Sequence, residues 1–338
     1  MSTFISSDLK YPGQIQKYQG KVRDVYHLEN NIIVVVATDR ISAFDTIMPK
    51  GVPYKGQVLN QLSSQMLKSS KKIIPNWYID SPDPNVTVGK KCTPIKVEMV
   101  IRGYLSGHSF RQYKKGIRNL CGSIMPNGMK ENDKFPNPII TPSTKADIGF
   151  RDEDISPDEL IQRQIISHKD YKVIENYTLK LFELGAKRAS KQGLVLVDTK
   201  YEFGKDSDGN ILLIDEVHTP DSSRFFYSNE YNFRQRMNLP QKQLSKEFFR
   251  QWLIKNNFSG KKHQKLPNLS TKFLDSVSKR YIELYEKLWG EKFIKVKSDN
   301  IGKRIQKNLS SFFNANNFQK WIINGCVCIN FIVTWVIP

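Results

Sequence analysis

Two apolar, β-branched segments joined by a short glycine turn constrain the fold more than any other feature of this chain. Residues 194–203 read LVLVDTKYEF and residues 211–219 read ILLIDEVHT. Both are typical of buried strands, and the Asp-Gly pair at 208–209 favours a two-residue type I′ turn between them. The sequence therefore predicts an antiparallel β-hairpin at this point.

The predicted hairpin gathers charge on one face. A two-residue turn puts Glu202 directly opposite Asp215, and the side-chain period of two puts Asp198 and Lys200 on the same face. Carboxylates this close repel unless a cation intervenes, and their oxygens suit Mg²⁺ bridging nucleotide phosphates. The alternative is a solvated strand face with one salt bridge from Lys200. The opposite, apolar face is expected to carry Val195, Val197, Tyr201 and Phe203.

The rest of the chain mixes strand and helix patterns. They lack βαβ regularity, which favours an α+β fold over a doubly wound parallel sheet. Residues 119–145 are rich in Pro, Gly and Asn and predict a long loop of the type that often carries function. The other predicted elements are a hairpin over 18–38, a helix over 56–68, a strand over 95–105, a helix opened by the Ser156 capping box, and helices over 171–191, 245–256 and 271–288.

Composition excludes several classes of protein. Lys+Arg number 52 against 33 Asp+Glu, a formal charge of +19, and 39% of residues are hydrophobic, which fits neither a disordered polyelectrolyte nor a membrane protein. The charge suggests nucleic acid as a partner, but no known nucleic-acid-binding motif focuses it, and small phosphorylated substrates would use the same charge.

Four cysteines without a C-x-x-C pair, and an N-terminus without a signal peptide, predict a reducing cytoplasm. The apolar run 321–338, interrupted by two asparagines, predicts a buried or aggregation-prone segment rather than a membrane anchor.

Three further segments suit phosphate groups. Residues 20–23, Gly-Lys-Val-Arg, predict either a phosphate cradle or a plain surface hairpin. Residues 102–109, RGYLSGHS, place an arginine, glycines and hydroxyls near a helix N-terminus, which suits an anion site or an ordinary capped helix. Arg224 is suited either to hold a second oxyanion or to pair with Asp221. The histidines show no metal or triad spacing and are assigned no catalytic role.

Six motifs, taken together and in order, match one known family. They are GKVRDVY (20–26), ATDRISAFDTIMPKGVPYKGQVLNQLS (37–63), VEMVIRGYLSGHSF (97–110), TPSTKAD (141–147), LVDTKYEFG (196–204) and IDEVHTPDSSRFF (214–226). Over about residues 10–295 the chain resembles the SAICAR synthetases, phosphoribosylaminoimidazole-succinocarboxamide synthases of purine biosynthesis.

The resemblance implies an ATP-dependent ligase. Its reaction joins the carboxylate of 5-amino-4-carboxyimidazole ribonucleotide (CAIR) to L-aspartate through an acyl phosphate, giving SAICAR, ADP and phosphate. ATP and Mg²⁺ are the implied cofactors, CAIR and L-aspartate the partners, and neither nucleic acid nor a membrane is expected. The implied α+β fold has two parts: an N-terminal antiparallel sheet related to ATP-grasp and kinase-like nucleotide binders, and a larger α/β part with C-terminal helices.

The resemblance also implies a role for each matching residue. ATP is expected to bind Gly20, Lys21, Val22 and Arg23 and the backbone of Glu98, Met99 and Val100. The metal is expected to bind Glu202 and Asp215. Lys200 and Asp198 complete the reacting centre. Arg102, Ser109 and Arg224 are expected to bind the 5′-phosphate of CAIR. Ser42, Asp45, Lys145 and Asp147 are expected to border the CAIR carboxylate and the bound L-aspartate.

The implied organisation has three parts. Residues 1–105 form the ATP-binding subdomain, residues 106–296 bind substrate and metal, and residues 297–338 are an atypical tail, because the family pattern is expected to end near Lys295. Residues 148–150, Ile-Gly-Phe, are more apolar than the family's loop. A phosphotransferase with the same ATP loop, a basic nucleic-acid-binding module and an inactive relative are the competing functions. Dependence on aspartate separates the first from the ligase, and salt-dependent nucleic-acid affinity would identify the second.

Overall fold

The computed structural model describes residues 3–145 and 152–315. Asp147, residues 148–150 and the run 321–338 therefore lie outside the described residues. Within each sheet the strands pair antiparallel and helices cover the sheets, which confirms the predicted α+β class. In the described ranges no helix combines the length and the apolar character needed to cross a bilayer.

The elements follow one another along the chain in a mixed order. They are β1 (Gln14–Gln19), β2 (Arg23–Leu28), β3 (Ile32–Ala37), β4 (Ser42–Ala43), β5 (Thr46–Ile47), α1 (Lys55–Ser70), β6 (Tyr78–Asp83), β7 (Val86–Lys90), β8 (Thr93–Tyr104), α2 (His108–Lys114), β9 (Asn119–Leu120), β10 (Ser123–Ile124), β11 (Lys134–Ile140), β12 (Ser143–Thr144), α3 (Pro157–Gln162), α4 (His168–Lys191), β13 (Leu194–Lys205), β14 (Ile211–Ile214), β15 (Ser223–Tyr227), α5 (Ser228–Arg236), β16 (Gln243–Leu244), α6 (Glu247–Lys255), α7 (Thr271–Trp289) and α8 (Ile301–Ala315).

The first sheet contains the predicted N-terminal hairpin. Its strand order is β1-β2-β3-β7-β6, and β2 pairs with β3 across a turn in which Asn30 and Asn31 both have a φ of 57°. Alternate residues of β3 pack in two directions: Ile33 and Val35 contact the core that contains α1, whereas Val34 belongs to a second core with α8. Because alternate side chains point to opposite faces, this sheet lies between the two helices.

The second sheet is built around β8 and β13. Its main path is β11-β8-β13-β15-β16, with β12 also paired to β8 and β14 to β13. Helix α4 covers one face, where Ile174 and Leu181 share the main core with Tyr201 and Phe203. The opposite face, called the polar face below, consists of Glu98 and Arg102 on β8 and of Asp198, Lys200 and Glu202 on β13.

The predicted hairpin exists, but its register differs by one residue. Glu202 pairs with Ile214 rather than with Asp215. The reason is the turn, in which the Asp206 side chain accepts hydrogen bonds from the backbone N–H groups of Asp208, at 3.0 Å, and Asn210, at 2.9 Å. This side-chain turn makes the loop longer than the two-residue type I′ turn that Asp-Gly favours.

A bulge in β13 also changes which residues face the core. The register against β15 shifts between Leu196 and Asp198, and Leu194 and Leu196 are buried in the main core while Val195 is only half-buried. The extra residue reverses the alternation, so the expectation that Val195 shares a face with Tyr201 is wrong. The shared face of Asp198, Lys200 and Glu202 lies after the bulge and is confirmed.

Backbone hydrogen bonds join the two sheets next to the candidate site. The N–H of Trp77 donates to the carbonyl of Leu213 and the N–H of Leu213 donates to the carbonyl of Pro75, both at 3.0 Å. Since β8 belongs to the second sheet, the chain passes between sheets at residues 91–92. The sheets divide at these residues, and the expected subdomain boundary at residue 105 stays a prediction.

The region expected to be a tail from residue 297 is partly folded. Helix α8 packs on the first sheet with Ile305 and Leu309 fully buried. Arg304 on the same helix forms an ion pair with Asp83, at 3.0 Å from Nε to Oδ2. Residues 301–315 are therefore part of the fold.

His218 is a core residue, which agrees with assigning it no catalytic role. Its side chain is fully buried, and Nε2 lies 2.5 Å from the hydroxyl of Tyr201. A Cβ at Gly185 would lie 2.2 Å from the ring, so only glycine lets α4 approach this closely. Burial, followed by the charge of Arg188, lowers the pKa of His218 to about 3.

The buried imidazole predicts that stability falls on mild acidification. The unfolded histidine takes up a proton as the pH falls through about 6.5 whereas the folded one does not, so the unfolded state gains stability. Between pH 7 and pH 5 we expect His218 to cost about 2 kcal/mol of unfolding free energy. Urea unfolding at both pH values, for wild type and His218→Gln, measures this loss. The variant should show a smaller loss than wild type, and an equal loss in both would contradict the prediction.

Candidate functional site

The candidate site is a cleft between the polar face of the second sheet and a loop of the first. The loop residue Arg23 reaches across to the segment after β14: Nη1 lies 3.4 Å from Asp215 Oδ1 and Nη2 lies 2.5 Å from Glu216 Oε2. Arg23 and Glu216 are largely buried and Asp215 is half-buried. This pairing brings the predicted phosphate loop next to one of the two predicted metal ligands.

Lys200 is the centre of the polar face. Its Nζ lies 2.5 Å from Glu98 Oε1 and 3.1 Å from Glu202 Oε1, and Lys145 binds the other oxygen of Glu202. Burial alone would lower the pKa of Lys200, but Glu202 and Glu98 outweigh it and raise the pKa. Lys200 is therefore a fixed ammonium, suited to stabilise negative charge rather than to accept a proton.

Glu202 is ionised in this environment. Burial favours its neutral form, yet Lys200 and Lys145 together lower the pKa of Glu202 to about 2. Burial raises the pKa of Asp215, and the neighbouring Glu202 and Glu216 add to this against the opposing charge of Arg23. The carboxylates thus remain close enough to repel each other despite the different register, and a further cation between them would relieve that repulsion.

The two carboxylates fit magnesium in its usual form but not a closed metal cage. Within residues 3–145 and 152–315 no group of three or more His, Cys, Asp or Glu side chains is placed to hold a metal. Mg²⁺ commonly uses one or two carboxylates together with waters and substrate phosphates. Glu202 and Asp215 supply these two carboxylates. Without a metal, Glu202 pairs with Lys200 and Asp215 pairs with Arg23.

The segment at residues 20–23 is a tight loop held from behind by a buried arginine that sequence reasoning missed. The N–H of Gly20 donates to the carbonyl of Arg23 at 2.7 Å. Arg40 donates to the carbonyls of Gly20, at 3.0 Å, and Lys21, at 3.3 Å, and pairs with buried Asp24 at 2.7 Å. Because Arg40 occupies these carbonyls, the loop has a fixed shape. Arg40 lies inside the motif ATDRISAFD, and this motif is the sequence feature that could have identified it.

The backbone of residues 98–100, on which the adenine contact is expected, lies inside the second sheet, and that contact stays a prediction. Glu98 pairs with Glu202 on one side and with Ser143 on the other, and the carbonyl of Val100 accepts from the N–H of Thr141 at 2.8 Å. Neighbouring segments on both sides therefore bond the backbone of β8 in this stretch. The Glu98 side chain forms an ion pair with Lys200, and Met99 is buried in the core.

Two buried arginines converge at the other end of the polar face. Arg102 and Arg224 lie 3.6 and 3.7 Å from the same oxygen of Asp198, and Arg224 also donates to the hydroxyl of Ser106 at 2.6 Å. Within the described part of the chain, Nε of Arg224 is buried without a hydrogen-bond partner. Arg224 Nη2 also lies 3.8 Å from Glu247 Oε2. With one N–H unsatisfied, the two guanidinium groups are suited to an additional anion.

Local structure explains why the arginines fit here. Gly107 has a φ of 58°, and a Cβ there would lie 2.5 Å from Arg224 Nη2. Ser109 is buried and donates its hydroxyl to the carbonyl of Ser106 at 2.9 Å, so only its lone pairs remain for a ligand. The alternative partner for Arg224, Asp221, is wrong.

Asp221 belongs to a separate buried cluster that sequence reasoning missed. It pairs with Lys55 at 2.9 Å and accepts the hydroxyl of Tyr281 at 2.6 Å, with Lys246 at 3.6 Å. Lys55 is fully buried at the start of α1. The cluster joins α1 and α7 to the loop before β15. The sequence feature that could have identified it is the motif ending in TPDSSRFF, which contains Asp221.

The structure brings together only some of the residues expected around the CAIR carboxylate and the substrate L-aspartate. Lys145 reaches Glu202, and Asp45 pairs with Lys21 at 2.5 Å from a left-handed turn with a φ of 60°. Ser42 is buried in β4. Asp147 lies outside the described residues, so this part of the prediction stays untested.

Known proteins match this chain over most of its length. A family model described as SAICAR synthetase matches residues 16–267. Phosphoribosylaminoimidazole-succinocarboxamide synthase of Flavobacterium psychrophilum is 54% identical over 312 residues, 92% of this chain and 99% of its own. The structure "SAICAR-synthase from Saccharomyces cerevisiae complexed SAICAR" is similar with a TM-score of 0.72 and 32% identity, covering 86% of this chain and 100% of that one.

One comparison corrects the expected end of the family pattern. The synthase of Azobacteroides pseudotrichonymphae is 53% identical over 321 residues, 95% of this chain and 99% of its own. An alignment of this length extends well past Lys295 and includes α8. With a family model matching most of the sequence and relatives matching it nearly end to end, this chain belongs to the SAICAR synthetase family.

Proposed function

We propose that this protein is the ATP-dependent ligase that joins the carboxylate of CAIR to L-aspartate and releases SAICAR, ADP and phosphate. Membership of the family and the names of the relatives support this reaction. The observation that carries it is the arrangement of the cleft. Ionised Glu202 and the phosphate loop lie at one end, and Arg102 and Arg224 lie at the other.

The reaction proceeds in two steps under this proposal. A carboxylate oxygen of CAIR attacks the γ-phosphorus of ATP and displaces ADP, which gives an acyl phosphate. The amine of aspartate then attacks the acyl carbon, loses a proton and displaces phosphate. Phosphoryl transfer depends mainly on positioning and on the stabilisation of charge.

The phosphate end of the cleft would be served by residues 20–23 and by the carboxylate pair. Lys21 and the backbone N–H groups of the loop are suited to contact ATP phosphates, with Arg40 fixing the loop from behind. Glu202 and Asp215 would hold Mg²⁺ through their oxygens. Magnesium bound there supplies positive charge to the transferring phosphoryl group and to the departing ADP.

The substrate end would be served by the two arginines. Arg102 and Arg224 would bind the 5′-phosphate of CAIR, and the unsatisfied Nε of Arg224 is a donor for it. Ser109 would join them by turning its hydroxyl from the carbonyl of Ser106 to a phosphate oxygen. The Lys200 ammonium would face the carboxylate that reacts, and Asp198 lies between it and the arginines. Ser42, Asp45, Lys145 and Asp147 remain the proposed border of the aspartate region.

The measurement that tests the reaction is ADP release by purified protein with Mg²⁺ and ATP. We expect release only when CAIR and L-aspartate are both present, and loss of release when EDTA removes Mg²⁺. The product should have the mass of SAICAR. Release with CAIR but without aspartate would indicate a phosphotransferase, and no release with both substrates would contradict the ligase.

The arginine site predicts a selective effect on CAIR. Arg224→Ala removes charge-assisted hydrogen bonds to a bound phosphate, each worth about 1.5–3 kcal/mol, so the KM for CAIR should rise about tenfold or more. The KM for ATP should change little. Arg234→Ala removes an arginine that pairs with Glu230 on the same helix and serves as the matched control. Steady-state kinetics with each substrate varied in turn measures both, and an unchanged KM for CAIR in Arg224→Ala would remove this residue from the phosphate site.

A further inference from the structure

Helix α8 is attached to the first sheet by an unusually complete polar contact. Arg304 places Nε 3.0 Å from Asp83 Oδ2 and Nη2 3.0 Å from Asp83 Oδ1, a bidentate pair with a fully buried carboxylate. Asn308, one turn further along α8, donates to Asp83 Oδ2 at 2.8 Å. The N–H of Asn85 donates to Asp83 Oδ1 at 2.9 Å.

The same guanidinium continues past Asp83 toward the candidate site. Nη2 of Arg304 also donates to Asn85 Oδ1 at 2.6 Å. The amide of Asn85 then donates to the carbonyl of Ala37 at 2.9 Å, and the N–H of Ala37 donates back to the carbonyl of Asn85 at 2.8 Å. Arg304 therefore fixes which way the Asn85 amide points, because its oxygen receives the guanidinium and its nitrogen faces Ala37.

The end of β3 is directly bonded to the phosphate loop. Ala37 pairs with Arg23 in the ladder between β2 and β3. The next residue, Thr38, donates to the carbonyl of Val22 with its N–H, at 3.1 Å, and with its hydroxyl, at 2.8 Å. Only Asn85 and the 37–38 segment separate Arg304 from the loop at residues 20–23.

There is little room for this path to relax. A Cβ on Gly56, the second residue of α1, would lie 2.4 Å from the carbonyl oxygen of Ala37 and 2.7 Å from Nδ2 of Asn85. The N–H of Gly56 is itself bound by Asp39 at 2.9 Å. Because α1 closes on Asn85 from the other side, a change in the Asn85 side chain must displace β3 or α1.

We propose that Arg304 is a positioning residue for adenine nucleotide: through Asn85 it holds the phosphate loop in its binding shape. The proposal rests on the nucleotide site of the proposed function. Ile305 and Leu309 also attach α8, by burial of apolar surface. Buried ion pairs contribute weakly to net stability but restrict geometry, and geometry is what a phosphate loop requires.

The test compares variants of α8 by their affinity for nucleotide. Isothermal titration of the full chain with ADP and Mg²⁺, without CAIR or aspartate, measures Kd, and thermal unfolding measures stability. Arg304→Ala should bind ADP about tenfold more weakly, a typical coupling between linked sites, with the KM for CAIR unchanged. Arg304→Lys keeps a charge beside Asp83 but lacks the planar fork that reaches Asn85, so it should recover stability more fully than affinity.

Leu309→Ala is the matched control. It leaves a cavity under the same helix without touching Asp83 or Asn85, so it should lower the melting temperature while Kd changes less than twofold. Adding Asn85→Ala to Arg304→Ala should weaken binding little further, because both act on one path. An Arg304→Ala protein that binds ADP as wild type does, or an equal loss in Leu309→Ala, would overturn the proposal.

The outcome is distinguishable from that of the ligase proposal. A wild-type chain that binds ADP but forms no SAICAR would contradict the proposed reaction and leave the Arg304 comparison decisive. A wild-type chain that binds no ADP would overturn the Arg304 proposal directly.

Discussion

The site depends on the contacts of Lys200, because its one ammonium holds two carboxylates of neighbouring strands close together. Glu98 on β8 and Glu202 on β13 both bind it, and Lys145 adds a second cation to Glu202. Without these cations, burial would favour the protonated form of Glu202, which is a poor ligand for a metal. The same pairing holds Lys200 in its charged form, so the polar face is prepared to stabilise anions at both ends.

The position of this charged face depends on how the two sheets are joined. Hydrogen bonds from Trp77 to Leu213 and from Leu213 to Pro75 place the end of β14 against the first sheet. The indole N–H of Trp77 also donates to the carbonyl of Asp215 at 3.1 Å. Arg23 completes the contact from the other side. The cleft is thus defined by backbone and ion-pair contacts, and helix α8 supports the wall that carries residues 20–23.

Much of the site was predictable because its chemistry is local in sequence. The alternation in β13 put Asp198, Lys200 and Glu202 on one face, and β8 put Glu98 and Arg102 on the face opposite Met99. The register of the hairpin was not predictable from the Asp-Gly pair, since the Asp206 side chain selected another turn. Only the sheet order shows that β8 is paired on both sides at Glu98, and the expected adenine contact in this stretch stays a prediction.

The sequence by itself determined the α+β class, the family and the residue types proposed to meet phosphate, because these follow from periodicity and from ordered motifs. The tertiary structure decided which side chains meet: Arg224 with Asp198 rather than Asp221, Arg40 behind the loop at residues 20–23, and Arg304 beside Asn85. Arg304 and Asn85 are far apart in the chain, and such partners are brought together only by the packing of a late helix on an early sheet. Pairings of this kind depend on distance in space, which hydrophobic pattern and motif spacing do not encode.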